Sequence, residues 1–274
     1  MKIMIIGLGL IGGSYAEGLK EKGHTIYGYD TDEKVLKEAI ELNIIEPNTS
    51  IENIKIANLV VLCLYPNDNI EFIKKYGHMF HKKQVITDVS GTKVYMLNKI
   101  KNILPKAITY ISHHPMAGGE KKGFNNRNKE KFKNANFIII GNKKSRKMEP
   151  LFEIAYDLGF ANTLVTTAKK HDELIAFTSQ LTHVIAVSLV NSDSMAETKD
   201  ATGDSYRDLT RIAKINEVMW TELFIENKHA LLKKIKEFKK SLRELETLIK
   251  NENREEIKKM LVKAREKRQT FDKN

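Results

Sequence analysis

At 274 residues and 41% hydrophobic, the chain has room for one large or two modest domains with a substantial core. The net charge of +11 concentrates at residues 228–274, where 16 Lys/Arg interleave with 8 Asp/Glu and no aromatic stacking pattern; this reads as a solvated helix face, not a nucleic-acid surface. One cysteine, Cys63, excludes an intrachain disulfide, no uninterrupted run of 18 apolar residues indicates a membrane span, and the first residues enter a strand at once with no room for a signal peptide, so a reducing, cytoplasmic setting is expected.

The first stretch, Lys2–Gly13, couples a short apolar run to Gly7, Gly9 and Gly12 at G-x-G-x-x-G spacing. The run Ile3–Ile6 predicts a buried parallel strand, and Ser14–Lys22 predicts the helix that follows it. In such a turn the first glycine allows the tight bend, the second lets a pyrophosphate reach the backbone, and the third lets helix and strand pack closely. Gly7, Gly9, Leu10, Ile11 and Gly12 are therefore the expected phosphate cradle, with the helix N-terminus aimed at it. Thr25–Tyr29 predicts a second strand, and Asp30 at its end is placed to accept hydrogen bonds from a ribose 2′-hydroxyl. A 2′-phosphate would be repelled there, so NAD is expected as cofactor.

Asp32–Leu42 predicts a helix, Asn58–Leu64 a third strand, and Ile70–Phe80 another helix. Cys63 sits in the third run and reads as a small core residue. Val85–Thr87 predicts a fourth strand, ending in the polar loop Asp88–Lys93, which opens a helix reaching Leu104. Ile108–Ser112 and Asn136–Gly141 predict two further strands, Glu149–Gly159 a helix and Thr163–Thr166 an edge strand. This alternation indicates an α/β, doubly wound parallel sheet of the Rossmann type. Ligands in such sheets lie beyond the carboxyl ends of the strands.

The character changes after residue 165. Lys170–Ser194 is apolar on nearly every side, the mark of a buried helix. Leu231 to Ile249 keeps a 3–4 spacing that needs a partner helix, Asn251–Asn253 breaks it, and Arg254–Arg268 resumes, with Asn253 and Glu256 resembling a capping box. The expected division is a nucleotide-binding domain over 1–165 and an all-helical domain over 166–274.

Three stretches could carry chemistry. Ser112–Gly123 places His113 and His114 at a strand end before a small-residue loop; a histidine there can take a proton from a substrate hydroxyl as hydride leaves the same carbon. No carboxylate or cysteine spacing completes a metal site around the pair, so no metal is expected. His183 lies inside the apolar helix and reads, on the residues alone, as a buried and satisfied histidine. Arg207 and Arg211, four apart, either pair with Asp204 and Asp208 or form a fork for a substrate carboxylate.

Gly7–Ser14, Asp88–Lys93, His114–Gly118, Ser179–His183 and Asp208–Ala213 together resemble, in order and spacing, prephenate dehydrogenase, the NAD-dependent enzyme of tyrosine biosynthesis. The resemblance runs to about Lys228. It implies a Rossmann domain followed by an all-α dimerisation domain, a homodimer, and oxidative decarboxylation of prephenate to 4-hydroxyphenylpyruvate. It implies that His114 is the catalytic histidine on the ring hydroxyl, and that His183 and Arg211 bind substrate, with Arg211 on a carboxylate. The family loop commonly reads Asp-Val-Gly-Ser-x-Lys, whereas this chain has Asp88-Val89-Ser90-Gly91-Thr92-Lys93. Ser90, counted with His114 as catalytic, or Thr92 is then expected to fill the serine's role. Three rival readings are an arogenate dehydrogenase with the same chemistry, a β-hydroxyacid or imine reductase with the same two-domain plan, and a non-catalytic NAD-sensing protein that uses its basic tail.

Overall fold

The structure, a computed structural model, describes residues 1–119 and 121–271. Residues Met1–Asn227 form one compact unit and Lys228–Asn274 a second. The first unit opens with β1 (Lys2–Ile6), α1 (Leu10–Glu21), β2 (Thr25–Tyr29), α2 (Glu33–Glu41), β3 (Leu59–Leu62), α3 (Pro66–Tyr76), β4 (Val85–Asp88), α4 (Val94–Ile100) and β5 (Thr109–Tyr110). These strands make a five-stranded sheet in the order β2-β1-β3-β4-β5, parallel throughout. Alternate residues of β1 serve opposite faces, as the pleat requires. Ile3 and Ile5 join a core with Ala16 and Leu19 of α1, Ala39 of α2 and, further along the chain, Leu151 and Ile154. Met4 and Ile6 join a separate core with Ile70 and Ile73 of α3 and Met96 and Ile100 of α4. The sheet is thus doubly wound, and strand order reverses between β1 and β3, which fixes where a ligand crevice opens.

The fifth and sixth predicted strands depart from a single parallel sheet. Ile111 N–H still donates to Ile86 O of β4 at 2.9 Å, but from Ser112 onward the chain's hydrogen bonds go elsewhere: Ser112 O accepts from Ile140 N–H at 2.9 Å. A second sheet results, β6 (His113–Pro115), β7 (Asn136–Ile140) and β8 (Asn162–Thr166), with β6 antiparallel and β8 parallel to β7. The helix α5 (Glu149–Asp157) joins β7 to β8. Helix α1 also starts earlier than predicted, at Leu10, because Gly9 already serves as its N-cap.

The predicted apolar helix runs over 168–191 as α6 (Ala168–Ile175), one π turn (Ala176–Gln180) and α7 (Leu181–Asn191). In the single chain it is only partly buried, with Phe177 53% and Val190 39% exposed. Ala168–Asn191 is also long and apolar enough, by length and composition, to cross a membrane. This corrects the expectation of no such segment: the polar residues Thr178–Gln180, Thr182 and His183 interrupt the apolar run without removing its average character. A core or interface helix passes the same test. Three shorter helices follow in the same compact unit: α8 (Thr198–Ala201), α9 (Asp204–Thr210) and α10 (Glu217–Glu226). Helices α6 to α10 lie in the same compact unit as the sheets.

The second unit is a helical hairpin of α11 (Lys228–Lys250) and α12 (Arg254–Gln269). It breaks where predicted, and Asn253 Oδ1 accepts from Glu256 N–H at 3.3 Å, one half of the expected capping box. Leu232, Leu242 and Ile249 of the predicted seam are more than half exposed.

Candidate active site

The turn after β1 has the form a phosphate needs. Gly7 takes φ +85°, where L side chains are strained, and its N–H donates to Tyr29 O at 2.8 Å. A Cβ on Gly12 would overlap the Gly7 carbonyl oxygen, while one on Gly9 would meet nothing within 4 Å. The third glycine therefore locks helix to turn, and the second leaves room at the backbone. No side chain caps α1 and no acidic residue sits in its first turn, so the positive helix end at Leu10, Ile11 and Gly12 faces outward without a competing anion. Asp30 stands at the end of β2, where Oδ2 accepts from Leu8 N–H at 2.7 Å and Oδ1 from Asp32 N–H at 3.0 Å. The carboxylate is fixed against the turn, with lone pairs remaining for a ribose. The residues present fit a dinucleotide.

The polar loop after β4 is mostly buried. Lys93 is fully buried, and its Nζ donates to Asp88 Oδ1 at 3.1 Å and to His113 O at 2.5 Å. Asp88 also accepts from Ser90 N–H at 2.9 Å and from the Tyr110 hydroxyl. Burial alone would raise the Asp88 carboxyl, but the Lys93 ammonium beside it holds it below its ordinary value. The Ser90 hydroxyl is 4% exposed and accepts from Asn69 Nδ2 at 3.2 Å. Gly91, at the family's serine position, is packed so that a Cβ would come within 3.0 Å of Leu223 Cδ2. Thr92 is buried and donates to Glu226 Oε2, and burial pushes the Glu226 carboxyl up to about 7. Neither hydroxyl is directed by these contacts toward His114.

The two neighbouring histidines have different fates. The pleat turns His113 into the core, where both ring nitrogens are engaged: Nδ1 with Thr87 Oγ1 at 2.6 Å and Nε2 with Tyr15 OH at 2.9 Å. It stacks on Phe137, 4.7 Å between centroids. Burial, with Lys93 adding, pushes its pKa down to about 3, so His113 is a neutral core residue. His114 points the other way and is half-buried. Its Nδ1 lies 2.8 Å from Nε2 of His171 on α6, and His171 Nδ1 lies 2.7 Å from Asp172 Oδ1. Burial first, then His171, Lys93 and His113, keep His114 well below its ordinary value. Asp172 also accepts from the N–H groups of Lys93 and Val94, both at 2.9 Å, at the start of α4. His171 and Asp172 were not singled out from sequence, and Lys93 only as part of the Asp88–Lys93 loop. The signal available was a histidine-aspartate pair one turn into an apolar helix, which has no meaning until the fold brings it to β6.

His183 stands on α7 with its Nδ1 2.9 Å from Ser179 O and its ring stacked on Trp220 of α10, 3.7 Å between centroids. Arg207 is 63% exposed and donates to Asp204 at 3.3 Å, the pairing alternative read from the spacing. Arg211 begins a 3-10 turn (Arg211–Ala213) instead of continuing α9, so the two arginines do not share one regular helix face. Burial raises the Cys63 thiol, in keeping with a core role. Among the described residues, one group could gather around a metal, His24, Glu153 and Asp157, and there His24 already bridges the Met1 amino group at 2.9 Å and Asp157 at 2.8 Å.

Comparison with known proteins finds matches over most of the chain. Residues 15–159 fit the family described as prephenate dehydrogenase, nucleotide-binding domain, and residues 167–263 the family described as prephenate dehydrogenase, dimerization domain. A prephenate dehydrogenase of Bacillus subtilis is 27% identical over 267 residues, covering 93% of this chain and 72% of the relative. A cyclohexadienyl dehydrogenase of Zymomonas mobilis is 30% identical over 262 residues, covering 90% and 88%. Among solved structures, prephenate dehydrogenase from A. aeolicus in complex with hydroxyphenyl propionate and NAD+ superposes with a TM-score of 0.88 at 30% identity over 99% of both chains. The doubly wound sheet, its glycine turn and the helical layer that follows are those of a dehydrogenase, and the chain belongs to the prephenate dehydrogenase family.

Proposed function

We propose that this chain catalyses the NAD-dependent oxidative decarboxylation of prephenate to 4-hydroxyphenylpyruvate, working as a cytoplasmic homodimer. The observation that carries the reading is His114: a half-buried imidazole just beyond the parallel sheet, held by one nitrogen, on the chain segment that leaves the edge of β4. The relatives named for prephenate and cyclohexadienyl substrates support the reaction class. The partly exposed apolar helix over 168–191, within a region similar to a dimerization domain, supports the dimer.

NAD, held by Gly7, Gly9, Leu10, Ile11, Gly12 and Asp30, supplies the hydride acceptor. His114 accepts the hydrogen bond of the ring hydroxyl and takes its proton as the carbonyl develops, while hydride leaves the same carbon. Loss of CO2 then restores aromaticity, so the substrate supplies the driving force and the protein supplies orientation. Arg211 holds a substrate carboxylate, with His183, braced by Trp220, beside it; Arg207 flanks them. Ser90 lies at the end of β4 in the same unit and would act on the hydroxyl only by turning from Asn69.

The test is NADH formation by purified protein with NAD and prephenate, repeated with arogenate. Turnover of prephenate with little of arogenate is expected. Binding of NAD with turnover of neither substrate would overturn the reading in favour of a sensing role.

A further inference from the structure

The contacts around His114 define a chain of three side chains. Both carboxylate oxygens of Asp172 already act as acceptors for the Lys93 and Val94 N–H groups, so Oδ1 accepts from His171 Nδ1–H as well, across 2.7 Å. In a neutral His171 the other nitrogen, Nε2, then carries a lone pair, and it can only accept from His114 Nδ1–H across 2.8 Å. His114 Nε2 is left as the basic nitrogen. Burial keeps both rings below their ordinary pKa, which suits the neutral forms this logic requires.

We propose that His171 and Asp172 are positioning residues for the reaction: they fix His114 in the Nδ1–H tautomer with Nε2 as base, and they share the positive charge once Nε2 is protonated. The proposal rests on the proposed dehydrogenase reading. When the substrate O–H bond breaks, its proton moves to His114 Nε2, and bound NAD would be the acceptor for the hydride that leaves the same carbon. The resulting imidazolium keeps its Nδ1–H on His171, whose far side is bound to a carboxylate. The first proton on the pair is therefore favoured, and a second is opposed. Among the described residues, the other charged or titratable groups facing these three side chains are Asp88 at the end of β4, Lys93 at the start of α4, His113 on β6 and, toward Asp172, Glu226 of α10. Asp172 is itself pinned by two backbone N–H groups of the α4 start, and Asn227 Nδ2 donates to its carbonyl at 2.9 Å. The chain of contacts is thus anchored to the parallel-sheet layer at one end and to α10 at the other.

His171→Gln is the informative variant. The amide can still accept from His114 and donate to Asp172, but it is not basic. We expect kcat to fall about 10- to 100-fold with KM within twofold, and the acid limb of the kcat profile to move to lower pH, because His114 becomes a weaker base. His171→Ala should lower kcat further. In the wild type, 15N NMR of labelled imidazoles should show His114 protonated on Nδ1, and in His171→Ala a mixture of tautomers. Unchanged kcat with an unmoved acid limb in both variants, or an unprotonated His114 Nδ1 in the wild type, would overturn the proposal. If neither variant folds, as judged by NAD binding, the wild-type spectrum decides alone. Retained turnover in His114→Asn would remove the dehydrogenase reading, and the tautomer measurement would still test the arrangement.

Discussion

The glycine turn and the histidine centre are built in contrasting ways. The turn uses the backbone of one contiguous stretch, with Gly7, Gly9 and Gly12 at most five residues apart and Tyr29 and Asp30 at the end of β2 as its distant partners. The histidine centre is assembled from side chains on the end of β4, on β6 and on α6, spanning Asp88 to Asp172. A backbone site tolerates few substitutions at its glycines and many at its flanks. A side-chain site depends on each residue separately and on the layers that carry them.

This contrast can be tested from its strongest consequence downward. His114→Asn should lower kcat 10²- to 10⁴-fold, the usual range for a general base, with NAD affinity unchanged by titration. Gly12→Ala should do the reverse: the added methyl overlaps Gly7 O, so NAD affinity should drop at least about tenfold, or the variant should melt early in calorimetry. If Gly12→Ala binds NAD normally, the turn is not the nucleotide site.

Acid should separate the regions too. The folded His113 titrates near 3 and the unfolded one near 6.5, so over that window the unfolded chain takes up a proton that the folded chain refuses. Stability should therefore fall with pH by about 1.4 kcal/mol per unit from this group, starting below 6.5 and levelling near 3. Urea titrations across pH measure this, and His113→Phe should flatten the slope. The smallest effect distinguishes the arginines. Arg211→Ala should raise KM for prephenate, whereas the exposed pair of Arg207 and Asp204 is worth no more than about 1 kcal/mol, so Arg207→Ala should change KM less. Equal effects would restore the fork.

Local pattern made the contiguous region readable. Apolar runs and glycine spacing placed the first strands, the parallel sheet and the glycine turn that opens α1, because each rests on neighbours in sequence. The split of the second sheet was not readable: Ile108–Ser112 reads as one strand, and only the hydrogen-bonding partners of Ile111 and Ser112 show that it serves two sheets. His113 and His114 differ by pleat alone, which sequence gives only as a two-residue alternation with unknown phase. His171 and Asp172 lie 57 residues or more beyond His114, in the charged first turns of α6, where nothing local ties them to β6. The family resemblance pointed to His114, His183 and Arg211 but not to the pair behind the His114 ring.

Asp172 ties protein integrity to reactivity. The same carboxylate that closes the first turn of α4 also holds the imidazole behind His114. Fraying at that helix end would release the ring's orientation long before the whole fold is lost. On gradual warming, amide exchange at Lys93 and Val94 should quicken in step with the decline of turnover, while protection in β1 and β3 persists.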